Sequence, residues 1–214
     1  MESTNRISAG NGEKRDVIEG KGVVNNTISS MLFELFERYG VPTHYVGPGT
    51  NEYSKIVRKA HMIQLEVIGR FIAAGSFCKR HPEIKSGSVF ESMLFEVCYK
   101  DDDLGDPFIS KREAIEVYKA CSDVDFDAIK DYTYIVGDVA SKFFEKFDLT
   151  LVDFKVEFGL DAKTGELILC DEFSPDTCRL WDSFGNSYDK DVFRNDMGNV
   201  SEVYQQVLDR VQSN

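Results

Sequence analysis

Between Leu149 and Phe173 the chain reads LTLVDFKVEFG, a turn over Asp161–Gly165, and then ELILCDEF. Side chains that alternate in character every second residue mark extended strands, because successive residues of a strand face opposite ways. Two such runs joined by a short glycine-bearing turn predict an antiparallel hairpin, which the remainder of the chain must accommodate. Thr150, Val152, Phe154, Val156 and Phe158 share one face of its first strand. Leu149, Leu151, Asp153, Lys155 and Glu157 share the other. A core explains the first set. It does not explain three successive charges that follow two leucines.

One account of those charges is a half-solvated strand carrying a surface charge ladder. The partner strand supports another, because it runs apolar through Leu167, Ile168 and Leu169 and ends in Asp171, Glu172 and Phe173. An antiparallel hairpin brings these carboxylates together, and their repulsion needs a compensating cation. Lys155 is one candidate. Magnesium is another, since one or two carboxylates hold it while phosphates and water complete an octahedron. Glu157 and Asp171, one from each strand, are the pair expected to do so. On this reading the hairpin serves magnesium-nucleotide chemistry, with no substrate specified.

Elsewhere the pattern is mixed. Residues 5–24, with Gly10, Gly12, Gly20 and Gly22, read as a loop. Ile28, Met31, Leu32, Leu35, Phe36 and Tyr39 then recur at helical spacing, with Gly40 as the stop signal. Residues 53–73 and 92–100 read as extended, and 101–110 as an acidic turn. Helices are expected over 111–121, 125–147 and 189–197. A final helix buries Val200, Val203, Tyr204, Val207, Leu208 and Val211. The class is α+β, and a hinge between lobes is expected near Met62–Glu66.

Charge narrows the function. The chain of 214 residues has 25 basic and 37 acidic side chains, a formal charge of −12. Residues 1–66 carry 8 of each sign, so residues 67–214 hold 17 basic and 29 acidic groups and the whole excess. A surface that tracks nucleic-acid phosphates needs the opposite sign, and anionic membranes are disfavoured likewise. No apolar leader opens the chain, and residues 61–77 are interrupted by Gln64, Glu66 and Arg70, so neither a signal peptide nor a membrane span is expected. Cys78, Cys98, Cys121, Cys170 and Cys178 form an odd set without a CxxC pair, as reduced thiols in a cytoplasmic protein would. They are expected to pack rather than react, and Trp181 likewise.

Three further signals are weaker. GRFIAAGSFCKR (69–80) sets Arg70, Ser76, Lys79 and Arg80 around a small-residue turn whose N–H groups could approach an anion; a strand end with surface basics accounts for it equally well. Counting from Asp123, the calcium-loop positions for Gly and Glu hold Ala128 and Tyr134, so that motif fails. His44, His61 and His81 have no zinc spacing.

The runs IEGKGVVNN, RFIAAGSFCKR, DDDLGDP, LVDFKVEFG, CDEFSPDTCRLWD and DKDVFRND, in that order, resemble the phosphoribosylaminoimidazole-succinocarboxamide synthase (SAICAR synthetase) family from about Ser8 to the last helix. The resemblance implies a two-lobed ATP-grasp or kinase-like fold, with residues 1–66 as an ATP-side lobe and 67–214 carrying the metal and substrate site. It implies a cytoplasmic ligase of purine biosynthesis that joins L-aspartate to carboxyaminoimidazole ribonucleotide, using ATP and Mg²⁺ and forming an acyl phosphate. Lys155, Asp153 and Arg179 are then catalytic, and Met62, Glu66, Glu157 and Asp171 hold the nucleotide. Arg70, Ser76, Asp176 and Arg179 bind substrate, and Lys190 and Arg194 support them. The family pattern also places strands and a glycine–lysine loop before this match, so a truncated N-terminal antiparallel sheet is expected. Its exposed edge would favour a homo-oligomer. A second reading is a catalytically silent or altered-specificity homologue that binds nucleotides and acts through partners.

Overall fold

The computed structural model describes residues 1–9 and 12–213. Gly10, part of the expected loop, lies outside them. The rest of that stretch is not a loop: β1 (Arg6–Ala9) and β2 (Lys14–Val17) pair antiparallel from Arg6–Val17 to Ala9–Lys14. Strands of four residues that bury only Ile7 carry too little alternation to be visible in sequence. Helix α1 (Lys21–Arg38) follows, ending before Gly40, whose φ of 83° is the left-handed turn a helix stop requires. Next come β3 (Tyr45–Pro48), β4 (Lys55–Val57) and β5 (Ala60–Met62).

Strands β6 (Leu65–Ile72) and β7 (Val89–Tyr99) flank a short α2 (Ser76–Arg80). Residues 102–104 make a 3-10 turn and 113–117 a π-helical turn. Helix α3 (Asp123–Glu145) starts at a capping box, with Ser122 and Asp125 each accepting from the other's backbone N–H. The expected hairpin is β8 (Thr150–Asp161) and β9 (Leu167–Cys170). Its turn is closed by Asp161 Oδ1, which accepts from Lys163 N at 2.7 Å and Thr164 N at 3.1 Å. Strand β10 (Cys178–Trp181), α4 (Asp191–Arg194) and α5 (Val200–Gln212) complete the order.

β8 is the spine. Its first half lies between β6 and β10, its second between β5 and β9, all antiparallel. With β7 beyond β6 this makes a six-stranded sheet. Pairing on both edges buries nearly every residue of β8, charged ones included, so the surface-ladder account of Asp153, Lys155 and Glu157 is set aside. Helix α3 lies against the Phe154 face. A Cβ on Gly69 would meet the Phe154 ring at 2.4 Å, and one on Gly137 would meet Met93 Sδ at 2.5 Å. Glycine at 69 leaves room for the Phe154 ring across the sheet, and glycine at 137 lets the helix approach the sheet closely. Trp181 is half-buried at the end of β10 rather than central to the core. Among the described residues no helix is long and apolar enough to cross a membrane.

Candidate active site

A cavity of about 990 Å³ opens between the charged face of β6 and β8, the segment 171–179, α4 and the β1–β2 hairpin. Eight of the ten sequence-predicted site residues line it: Glu66, Arg70, Ser76, Asp153, Lys155, Asp171, Asp176 and Arg179. Met62 and Glu157 do not. Met62 is exposed at the end of β5, opposite Gly159 of β8. Glu157 is buried one step behind the wall, where β8 pairs with Cys170 and the chain turns into Asp171.

The register explains the convergence. Arg70 pairs with Asp153 and Ile68 with Lys155 across β6 and β8, while Arg179 of β10 faces Asp153 from the other edge. Asp153 therefore lies between two guanidiniums. Arg70 Nη1 donates to its Oδ2 at 2.7 Å, and Arg179 Nη1 reaches the same oxygen at 2.8 Å. Arg70 also donates to Glu96 Oε2 at 2.6 Å and Ser76 Oγ at 3.2 Å. Arg179 Nε donates to Asp191 Oδ2 at 2.7 Å, and Asp191 takes Arg194 Nη1 at 2.6 Å. Burial alone would weaken the Arg179 cation; Asp153 and Asp191 outweigh it and hold the guanidinium charged.

A second row runs along the opening of the hairpin. Lys155 Nζ donates to Glu66 Oε1 at 2.8 Å and Glu157 Oε1 at 2.9 Å. Lys100 Nζ, from the end of β7, donates to both oxygens of Glu157 at 2.6 and 2.7 Å. Burial opposes the charge on Lys155, but Glu157 and Glu66 more than offset it and raise its pKa. For Glu157 burial is likewise overcome, by Lys155 and then Lys100, and its carboxyl is held below the usual range. Lys155 is thus a fixed ammonium and not a base at neutral pH.

Asp171 behaves oppositely. Burial, with Glu157 next, pushes its carboxyl up, and no ion pair reaches it among the described residues. Glu172 is raised by burial and by Asp176 and Asp171. Lys155 and Lys100 offset only part of this, and a buried carboxylate with no direct ion-pair partner beside a cavity suits an added cation. Among the described residues no three His, Cys, Asp or Glu side chains form a metal cage. Two carboxylates with phosphate oxygens is the arrangement Mg²⁺ accepts.

Asp176 is held from behind by Lys21 Nζ at 2.5 Å, Asn25 Nδ2 at 2.9 Å and Tyr204 Oη at 2.5 Å. At the β6–α2 corner, Gly75 has φ 55° and sits so close to Arg179 that a Cβ would lie 2.4 Å from Nη2. Lys190, on the cavity wall, is lowered by burial, with Arg194 and Lys21 adding to the effect of burial against Asp176.

Sequence reasoning missed Lys100, Glu96, Lys21, Asn25 and Tyr204 as members of these rows. The run IEGKGVVNN contains Lys21 and Asn25, yet nothing local shows that they meet a residue 155 or 151 positions away. Of the five thiols expected to pack, Cys98, Cys170 and Cys178 are buried, while Cys78 and Cys121 are half-buried. All five cysteines are free, and burial pushes Cys98 and Cys170 up to about 12 and Cys121 up to about 11.

Comparison with known proteins gives a consistent result. The SAICAR synthetase family model matches residues 1–211. The phosphoribosylaminoimidazole-succinocarboxamide synthase of Clostridium acetobutylicum is 46% identical over 205 residues, covering 95% of this chain and 85% of that protein. The same enzyme of Finegoldia magna is 44% identical over 205 residues, covering 95% and 87%. Among solved structures, a Type-2 SAICAR synthetase in complex with ADP aligns with a TM-score of 0.95 at 37% identity, over 100% of this chain and 90% of that one. The Ehrlichia chaffeensis enzyme gives 0.93 at 36% identity, over 100% and 90%.

Proposed function

The chain belongs to the SAICAR synthetase family, and from that premise we propose that the cavity between β6, β8 and segment 171–179 is its catalytic centre. The protein is an ATP-dependent ligase of purine biosynthesis with the SAICAR synthetase fold. Carboxyaminoimidazole ribonucleotide and L-aspartate are the substrates. The ribonucleotide carboxylate attacks the γ-phosphorus of ATP, ADP departs, and an acyl phosphate forms. The aspartate amine then adds to the acyl carbon, phosphate leaves with the C–O bond pair, the nitrogen gives up one proton that the departing phosphate takes, and an amide remains.

Negative charge develops on the transferring phosphoryl group and then on the departing phosphate. Lys155, a fixed ammonium beside Glu66 and Glu157, supplies positive charge there. Arg179, held through Nε and Nη2 by Asp191 and through Nη1 by Asp153, would offer its remaining Nη N–H groups to a carboxylate or phosphate. Arg70 is buried with its donors committed to Asp153, Glu96 and Ser76, so it orients the exposed Ser76 hydroxyl toward the ribonucleotide phosphate. Asp176 accepts the substrate amine. Glu157 and Asp171 would hold Mg²⁺, which when bound shields the phosphates and polarises the one being transferred. The segment Met62–Glu66 receives the adenine, at the junction of a 1–66 lobe and a 67–214 lobe. A cytoplasmic location fits this chemistry.

The observation that carries the reading is the convergence of Asp153, Lys155, Arg70 and Arg179 on one cavity wall beside the buried Asp171, whose carboxyl is raised. The test is a coupled ADP-release assay with Mg²⁺, ATP and the carboxylated ribonucleotide, with L-aspartate present or withheld. Stoichiometric ADP and succinocarboxamide product only when aspartate is present supports it. Steady ATP hydrolysis without aspartate, or no product, contradicts it.

A further inference from the structure

Asp176 receives an unusual density of donors from outside the cavity. Lys21 and Asn25, one turn apart at the start of α1, both donate to Oδ2. Tyr204, fully buried in α5, donates to Oδ1 at 2.5 Å. A carboxylate has about four acceptor positions, so three are filled from behind. One remains for a ligand on the cavity side.

We propose that Tyr204, with Lys21 and Asn25, is a positioning group that turns Asp176 into a single-acceptor receptor for the incoming substrate amine. This rests on the reading of Asp176 as the amine acceptor and says what sets its geometry. Without the Tyr204 hydroxyl, Oδ1 loses its fixed donor and the carboxylate can rotate about its Cβ–Cγ bond. Asp176 sits in the same turn as Arg179, where Ser174 Oγ receives Asp176 N at 3.2 Å and the Ser174 carbonyl receives Cys178 N at 3.0 Å. Rotation therefore misplaces the acceptor while the turn itself stays hydrogen-bonded. Burial, followed by the Asp176 charge, drives the Tyr204 phenol well above its usual range, so it remains a donor through the working pH range. Tyr204 does not line the cavity, and its action on the reaction runs through Asp176 alone.

The test is a double-variant cycle read by initial rates, with L-aspartate varied at saturating ATP and ribonucleotide. Tyr204→Phe removes one oxygen and keeps the buried ring. Loss of a hydrogen bond to a charged group predicts a fall of about 10- to 100-fold in kcat/KM for aspartate. The KM for ATP should stay within about twofold, and Asp176→Asn/Tyr204→Phe should be no slower than Asp176→Asn. Equal losses in all substrates' parameters, or losses that add in the double variant, overturn the proposal and mark Tyr204 as structural. An impaired Asp176→Asn beside an unaffected Tyr204→Phe overturns it while leaving the amine reading of Asp176 intact. An unaffected Asp176→Asn removes that reading and the proposal with it. If Tyr204→Phe does not fold, Asn25→Ala carries the test: a selective fall of about tenfold for aspartate supports the proposal, and unchanged kinetics overturn it.

Discussion

Replacing Asp153 by Asn keeps the shape of the side chain and deletes the charge that separates Arg70 from Arg179. Asp153 is 4% exposed and Arg70 is 2% exposed, so solvent screens little of the interaction. Removing one partner of a buried ion pair costs about 3–5 kcal/mol, because an uncompensated charge is left behind. Here Arg70 retains Glu96 at 2.6 Å and Arg179 retains Asp191 at 2.7 Å, which places the loss near ~3 kcal/mol. With a urea slope of ~2.5 kcal/mol/M, the unfolding midpoint should fall by ~1.2 M. Equilibrium urea unfolding followed by circular dichroism measures this directly, and the slope should not change. Turnover should fall in parallel, since Arg179 is then held from one side only. A midpoint shift below ~0.3 M at constant slope would refute the reasoning, because the two guanidiniums would then not depend on Asp153 for their compensation.

Two further outcomes follow from the same geometry. Gly75→Ala places a Cβ 2.4 Å from Arg179 Nη2 at a φ of 55°. Strain of ~2 kcal/mol should lower the melting temperature by ~4–8 °C, with at least a tenfold loss in kcat/KM as Arg179 leaves Asp153; calorimetry and rates that both match the parent would contradict it. His44 is lowered to about 4 by burial first, then by the neighbouring Lys55, the N-terminus and Arg58. The unfolded chain protonates this ring near its ordinary value and the folded chain does not, so its contribution is complete above about pH 6.5 and is lost as pH falls toward 4. The stability difference between the parent and His44→Gln should therefore change by up to ~3 kcal/mol across that window, and parallel pH–stability curves would refute the assignment.

What could be read from the sequence was whatever is encoded within a few residues. The β8–β9 hairpin announces itself through period-two alternation and the Asp161–Gly165 turn, and α3 and α5 through their apolar stripes. The convergence of Asp153, Lys155 and Asp171 was legible for the same reason, since strand register alone brings them to one opening. β1 and β2 were not legible, because they are stabilised by pairing with each other and by Lys14, which reaches Phe193 O and Asp196 at the far end of the chain. Nor could the sequence show that β5, β6 and β10 also flank β8, so that both its edges are paired, which is what turns an ordinary charge ladder into buried ion pairs. Lys100 and Tyr204 reach the site's carboxylates across 57 and 28 residues, through tertiary packing that no local pattern records.

If the mouth of the hairpin holds nucleotide phosphates through a shared cation, Asp171 decides the matter. Titration calorimetry of ADP into the protein, with and without Mg²⁺, should show binding at least about tenfold tighter with the metal, a gain of ~1.4 kcal/mol. Asp171→Asn should bind ADP alone much as the parent does and lose that gain. A variant that tightens with Mg²⁺ as strongly as the parent would contradict the account.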